Sequence, residues 1–152
     1  MLADQFSLQG KVAIVTGGGK GIGKAIGLAF AEAGANVVFA ARTQADLDAA
    51  VSQAKTFGSD AIGVNCDVLV DEQLQQLVDQ TIAHFGRIDI LVNNAGGTMP
   101  KPMTKISAES FRRALDFNLT SAFLLSQYAL PYLRASRGNI INLSSISGFG
   151  PS

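Results

Sequence analysis

Gly17, Gly21 and Gly23, with Gly18, Gly19 and Lys20 between the first two, give the spacing G-x-x-x-G-x-G. A glycine run lets backbone approach a bound group closely, and the unpaired N–H groups of a following helix suit a phosphate. The chemistry on offer is the cradling of a pyrophosphate. The spacing differs from the G-x-G-x-x-G of the usual dinucleotide fingerprint. With 16 glycines in 152 residues, a tight strand-to-helix turn holding no ligand is the alternative. Other polar residues close apolar runs: Arg42, Asp67, Asn93-Asn94 and Ser144-Ser145. Singly these read as a surface cation, a helix cap, turn residues and strand-ending serines.

The elements that must position them follow from periodicity. Residues 11–16 form a β-branched apolar run, the pattern of a strand buried on both faces of a parallel sheet. After the glycine turn, Ile22, Ile26, Ala29, Phe30 and Ala33 fall on one helical face, with Gly34 as its cap. Residues 36–41 read as a second strand. Thr43 with Asp46 has the form of a capping box before a helix carrying Leu47, Ala50, Val51 and Ala54 and ending near Gly58. Residues 61–66 read as a third strand. Asp71 and Glu72 suit the start of a helix with Leu74, Leu77, Val78, Ile82 and Phe85 in a stripe, closed by Gly86. Residues 88–92 begin a fourth strand, and 93–105 form a loop broken by Gly96, Gly97, Pro100 and Pro102. A long helix is expected from Ser107, with Phe111, Leu115, Leu119, Ala122, Phe123 and Leu130 on its apolar side and a bend or break at Pro131. Residues 139–143 give a fifth strand.

Strands alternating with helices predict an α/β fold with a doubly wound parallel sheet. Ligands of such sheets bind outside the carboxyl ends of the strands. Arg42, Asp67, Asn94 and Ser145 each follow a strand, so they gather with the glycine turn on one edge. That joint placement is hard to explain without a ligand.

Composition removes several function classes. Hydrophobic residues make up 47%, charged residues 16%, and formal net charge is zero, so no basic field points to nucleic acid. No stretch is apolar and long enough to span a bilayer, residues 1–10 do not form a signal peptide, and Cys66 is the sole cysteine. A cytoplasmic protein is expected, with Cys66 as a small buried hydrophobe. His84, the one histidine, reads as a surface residue, and no metal site is expected.

Thr16-Gly17-x-x-x-Gly21-Ile22-Gly23, Asp67-Val68, Asn93-Asn94-Ala95-Gly96, Asn118 and Ser145 resemble, in order and approximate spacing, the short-chain dehydrogenase/reductase family. The match spans essentially the whole chain. Pro100-Lys101-Pro102 after Gly96-Gly97 is similar to its bacterial 7α-hydroxysteroid dehydrogenase branch. The resemblance implies a single Rossmann-type NAD(P)-binding domain over residues 1–152, three layers deep, with strand order 3-2-1-4-5 and later strands missing. It implies hydride exchange between a nicotinamide and a ketone or secondary alcohol, by a dimer or tetramer. Amides of the turn, Gly17, Gly19, Lys20, Gly21, Ile22 and Gly23, would hold the pyrophosphate, with Ile22 toward the nicotinamide ribose. Asp67 and Val68 would face the adenine, and Asn94, Ala95 and Gly96 the adenosine ribose and cleft floor. Asn118 would hold a water in a proton relay, and Ser145 would donate to the substrate oxygen.

Charge favours NADP(H) over NAD(H). Arg42 stands where a 2′-hydroxyl would call for an acid, and Lys20 can reach the same phosphate; the alternative is two solvated cations. The resemblance also implies a Tyr-x-x-x-Lys pair about a dozen residues after the serine. Tyr128 and Tyr132 precede Ser145 and are followed four residues on by Tyr132 and Ser136. The chain alone is therefore expected to be inactive, with an exposed apolar edge at strand five. The rival expectation is a non-catalytic dinucleotide-binding or interaction module.

Overall fold

The computed structural model describes residues 6–97 and 101–145. Pro100, which the sequence places in the loop after the fourth strand, lies outside them. The elements run β1 (Val12–Thr16), α1 (Gly21–Glu32), β2 (Asn36–Ala41), α2 (Gln44–Lys55), β3 (Ala61–Asn65), α3 (Asp71–Phe85), β4 (Ile90–Asn93), a 3-10 turn (Met103–Lys105), α4 (Ala108–Leu115), a π turn (Asp116–Thr120), α5 (Ser121–Ser136) and β5 (Asn139–Asn142). The sheet order is β3-β2-β1-β4-β5, and every pairing is parallel.

Each strand is apolar on both faces because helices cover both. Ile14 lies in register with Val38 and Leu91. All three face a core shared with Leu74 and Leu77 of α3 and Leu125 and Leu133 of α5. Their neighbours Val15, Val37 and Phe39 point the other way, onto Ala31 of α1 and Leu47 and Ala50 of α2. Period-two alternation thus divides one sheet between two cores.

At the amino edge of the sheet, the buried Asp89 carboxylate joins the starts of β1 and β4. Its Oδ2 accepts from the Val12 N–H (3.0 Å) and Arg87 Nε (2.8 Å), and its Oδ1 from the second Arg87 nitrogen (2.7 Å) and Lys11 Nζ (3.3 Å). Burial alone would raise its pKa. The guanidinium, the amide and the ammonium outweigh that and hold the carboxyl below its usual range.

Three local expectations are corrected. The buried side of α1 is Gly23, Gly27 and Ala31, with Ile26 and Phe30 partly covered, while Ile22 is 68% exposed and Ala29 faces solvent. The Phe39 ring lies where a Gly27 side chain would be, so the helix rests on its smallest residues. No side-chain bond caps α2 at Thr43; Asp46 pairs instead with Lys20 at 3.3 Å.

The long helix also departs from expectation. Ser107 caps α4 by accepting from the Ser110 N–H at 3.1 Å. Beyond the π turn, α5 runs through Pro131 without a break as far as Ser136, where Arg137 at φ 55° ends it. Its buried side is Ser121, Leu125, Ala129 and Leu133. Phe111, Leu115, Leu119, Phe123 and Leu130 lie exposed on the other side. The helix is apolar on two sides, and the sheet covers only one. Strand β5 sits at the sheet edge with all four residues exposed, as the sequence predicts.

Candidate functional site

The glycine turn folds as it does because β1 must turn sharply into α1. Gly17 and Gly21 take the left-handed region at φ 64° and 57°. Gly23 is required for closeness, since a Cβ there would run into the Gly17 carbonyl and the Asn94 side chain. No side chain caps α1, and its first turn carries no acid. The positive end of the helix dipole therefore opens onto the carboxyl edge of the sheet.

Residues after β4 lock this turn. The Thr16 hydroxyl accepts from the Asn94 and Ala95 N–H groups (3.0 Å each) and donates to the Val92 carbonyl (3.3 Å). Asn94 Nδ2 donates in return to the Thr16 carbonyl at 2.8 Å. The buried Asn93 donates to Asn142 Oδ1 (2.8 Å) and Ser126 Oγ (3.1 Å), which ties β4 to β5 and α5. Its carbonyl accepts from the Leu143 N–H at 3.0 Å, two residues before Ser145.

A cleft of about 340 Å³ opens here, lined by Gly17, Gly19, Lys20, Arg42, Asp67 and Asn94, with Val68, Ala95 and Gly96 also on its wall. Exposed Arg42 stands at its mouth with Lys20. The Asp67 carboxylate accepts from the Leu69 N–H at 3.0 Å, while the Asp67 N–H donates to Gln73 Oε1 at 2.7 Å, so its loop is held by α3. Val68 is buried. Cys66 also lines the wall; burial first, then the neighbouring Asp67 charge, pushes its thiol up to about 11. That thiol is inert at neutral pH.

A second cavity of about 740 Å³ shares Arg42 and Phe117 with the cleft and extends along α4 past Phe111, Leu115 and Asn118. Asn118 lies in the π turn. Its Oδ1 accepts from the Gly97 N–H (2.8 Å), and its Nδ2 donates to the Gly97 and Ala114 carbonyls (3.1 and 2.8 Å). The side chain thus pins the loop after β4 to the helix. Gly96 has to be glycine for this, as a Cβ there would lie 2.8 Å from Asn118 Oδ1.

The structure therefore brings Gly17, Gly19, Lys20, Arg42, Asp67, Val68, Asn94, Ala95 and Gly96 to one cleft. Gly21, Ile22 and Gly23 form the first turn of α1 beside it, Asn118 lies on the adjoining cavity, and exposed Ser145 follows β5 on the same edge. Tyr128 and Tyr132 pack against the core away from it. Two contributors escaped the sequence reading. Thr16 was legible only as the residue before a glycine, although a buried hydroxyl closing a strand always requires partners. Asp46 looked like a cap. Among the described residues, no group of three or more His, Cys, Asp or Glu could hold a metal, and no helix is long and apolar enough to cross a membrane.

Comparison with known proteins agrees with this geometry. The family description "short chain dehydrogenase" matches residues 11–152. An uncharacterised oxidoreductase of Mycobacterium tuberculosis is 43% identical over 97% of this chain and 57% of its own length. An L-fucose dehydrogenase of Bos taurus is 44% identical over 91% of this chain and 50% of its own. Among solved structures, a 7α-hydroxysteroid dehydrogenase complexed with NADH and 7-oxo-glycochenodeoxycholic acid superposes with a TM-score of 0.95 at 38% identity, over 99% of this chain and 59% of that one. The chain spans about half the length of the curated relatives it matches. With a matching family description, relatives above two-fifths identity and a doubly wound sheet whose glycine turn opens onto one cleft, this chain belongs to the short-chain dehydrogenase family.

Proposed function

We propose that the whole protein is an NADP(H)-dependent oxidoreductase acting on a ketone or secondary alcohol, and that this chain holds its dinucleotide. The observation that carries this is the glycine turn at the uncapped start of α1, with Lys20 and Arg42 at the mouth of the same cleft. When bound, the dinucleotide supplies or accepts the hydride.

The chain's own residues bind and orient. Amides of residues 17–23 receive the pyrophosphate, Asp67 and Val68 face the adenine, and Asn94, Ala95 and Gly96 support the ribose. The Arg42 guanidinium presents a planar fork to a 2′-phosphate, and Lys20 adds a second positive charge. Ser145 donates its hydroxyl hydrogen to the substrate oxygen and stabilises charge that develops there. Asn118 sits where the helix lapses into i→i+5 bonding; such turns recur at functional sites, and Asn118 would hold the water of a proton relay. The named relatives span a sugar and a steroid, so the substrate class stays at carbonyl and secondary alcohol. We place the protein in the cytoplasm, on its lone buried cysteine, and read it as a homo-oligomer, on the exposed stripe of α4 and α5.

Fluorescence titration with NADPH and NADH tests the reading. NADPH should bind about tenfold more tightly, equivalent to about 1.4 kcal/mol. The Arg42→Ala variant should bring the two together; no binding of either overturns the proposal. The rival reading is a non-catalytic dinucleotide-binding or interaction module that keeps the same cleft. Ketone-dependent oxidation of NADPH by the whole protein, rather than by this chain alone, separates the two.

A further inference from the structure

Asp46 points into the cleft where a cap was expected. We infer that it is a specificity-determining residue: its carboxylate holds Lys20 at the cleft mouth, and a 2′-phosphorylated adenosine has to draw Lys20 away from it. This inference rests on the dinucleotide reading of the cleft and adds a residue to it.

Three observations place Asp46 there. Its Oδ2 lies 3.3 Å from Lys20 Nζ, the lysine side chain being 81% exposed and the aspartate 32%. Asp46 lines the same cleft as Arg42, Thr43 and the glycine turn. Finally, Gly19 is what lets the two segments meet, because a Cβ at that position would lie 2.9 Å from Asp46 Cβ and 3.2 Å from Ala41 Cβ. The first turn of α2 is thus packed onto the glycine turn, and Asp46 is held beside Lys20 by the backbone under it.

The consequence is electrostatic. Lys20, Arg42 and Asp46 together carry a net charge of +1, where the two cations alone would carry +2. A 2′-phosphate entering the mouth is attracted by Lys20 and Arg42 and repelled by Asp46, and it competes with the carboxylate for one ammonium. A 2′-hydroxyl meets no such competition and can itself donate to the carboxylate. Asp46 therefore narrows the gap between the phosphorylated and the plain nucleotide. The contact is partly exposed, so the effect is that of a screened surface pair.

The test measures dissociation constants of 2′,5′-ADP and 5′-AMP for the protein and its Asp46→Asn, Asp46→Ser, Lys20→Gln and Asp46→Asn/Lys20→Gln variants at low salt. Asp46→Asn and Asp46→Ser should tighten 2′,5′-ADP roughly three- to fivefold and leave 5′-AMP within about twofold. Without the lysine charge, the gain from Asp46→Asn should shrink to about twofold or less. A wild-type ratio of the two nucleotides in both Asp46 variants overturns the inference. So does an equal gain with and without Lys20, since that leaves no competition for the lysine. If neither nucleotide binds any of the proteins, the dinucleotide reading itself falls, and the inference with it.

Discussion

Thr16 has one hydroxyl and three backbone partners: it accepts from the Asn94 and Ala95 N–H groups and donates to the Val92 carbonyl. Replacing it with valine keeps the shape and removes every bond. The Asn94 and Ala95 N–H groups beside the cleft then lose the acceptor that the hydroxyl supplied, at a cost of about 2–3 kcal/mol by the penalty for unsatisfied buried groups. The Thr16→Val variant should therefore unfold at lower urea and bind 2′,5′-ADP about tenfold more weakly, because the glycine turn loses its brace. Wild-type urea midpoint and affinity together would show the clasp to be idle. At this scale the sequence was informative where residue type alone carries the chemistry. Arg42, Asp67 and Asn94 were legible because each follows an apolar run, and strand ends in a parallel sheet share an edge. Thr16 and Asp46 were not, since their roles depend on partners 78 and 26 residues away along the chain, which spacing cannot reveal.

Among the elements, unbroken apolar runs placed the strands well, and the parallel register followed. Helical faces were harder. The apolar face of α1 is rotated onto Gly23, Gly27 and Ala31 because Phe39 fills the space above Gly27, a contact between elements that no helical wheel contains. The join between β1 and β4 likewise depends on Asp89, whose four donors come from three different residues. Its folded pKa is held below the ordinary 3.8, so the folded state binds a proton less readily than the unfolded chain. The stabilisation is fully present above the unfolded pKa and is lost as pH falls through the folded value. As pH falls below the ordinary 3.8 and on through the folded value, the protein should lose stability, and Asp89→Asn should lose less over that interval. At pH 7 the same variant should be less stable by about 1.5–3 kcal/mol, the scale of hydrogen bonds to a charged group. Urea unfolding at several pH values checks both; parallel acid limbs for the two proteins would remove Asp89 from the account.

For the whole molecule the question is which apolar surfaces the fold leaves uncovered. The sequence marked Phe111, Leu115, Leu119, Phe123 and Leu130 as one helical stripe, and periodicity was right that they align. It could not say against what, because α5 has a second apolar side, and Leu125, Ala129 and Leu133 are the ones that meet the sheet. Leu119 and Phe123 are left 64% and 62% exposed, beside Phe111 and Leu115 on the preceding turns. Adjacent large apolar side chains facing water along α4, the π turn and α5 form a candidate association surface. Self-association requires a patch that can meet its own copy about a two-fold axis, and a straight helical stripe crossing its twin satisfies that. Charges placed in the middle of such a seam would face each other across the axis and lose their water. Phe123→Glu and Leu119→Lys should therefore each shift the protein toward monomer in light scattering after size exclusion, while a substitution at exposed Lys55 on α2 should not. Combining the two opposite charges should restore association in part, because Glu and Lys would then meet across the seam. Recovery in the double variant separates a specific seam from nonspecific stickiness, which extra charge of either sign would simply abolish. A wild-type protein that stays monomeric at high concentration would refute the seam outright.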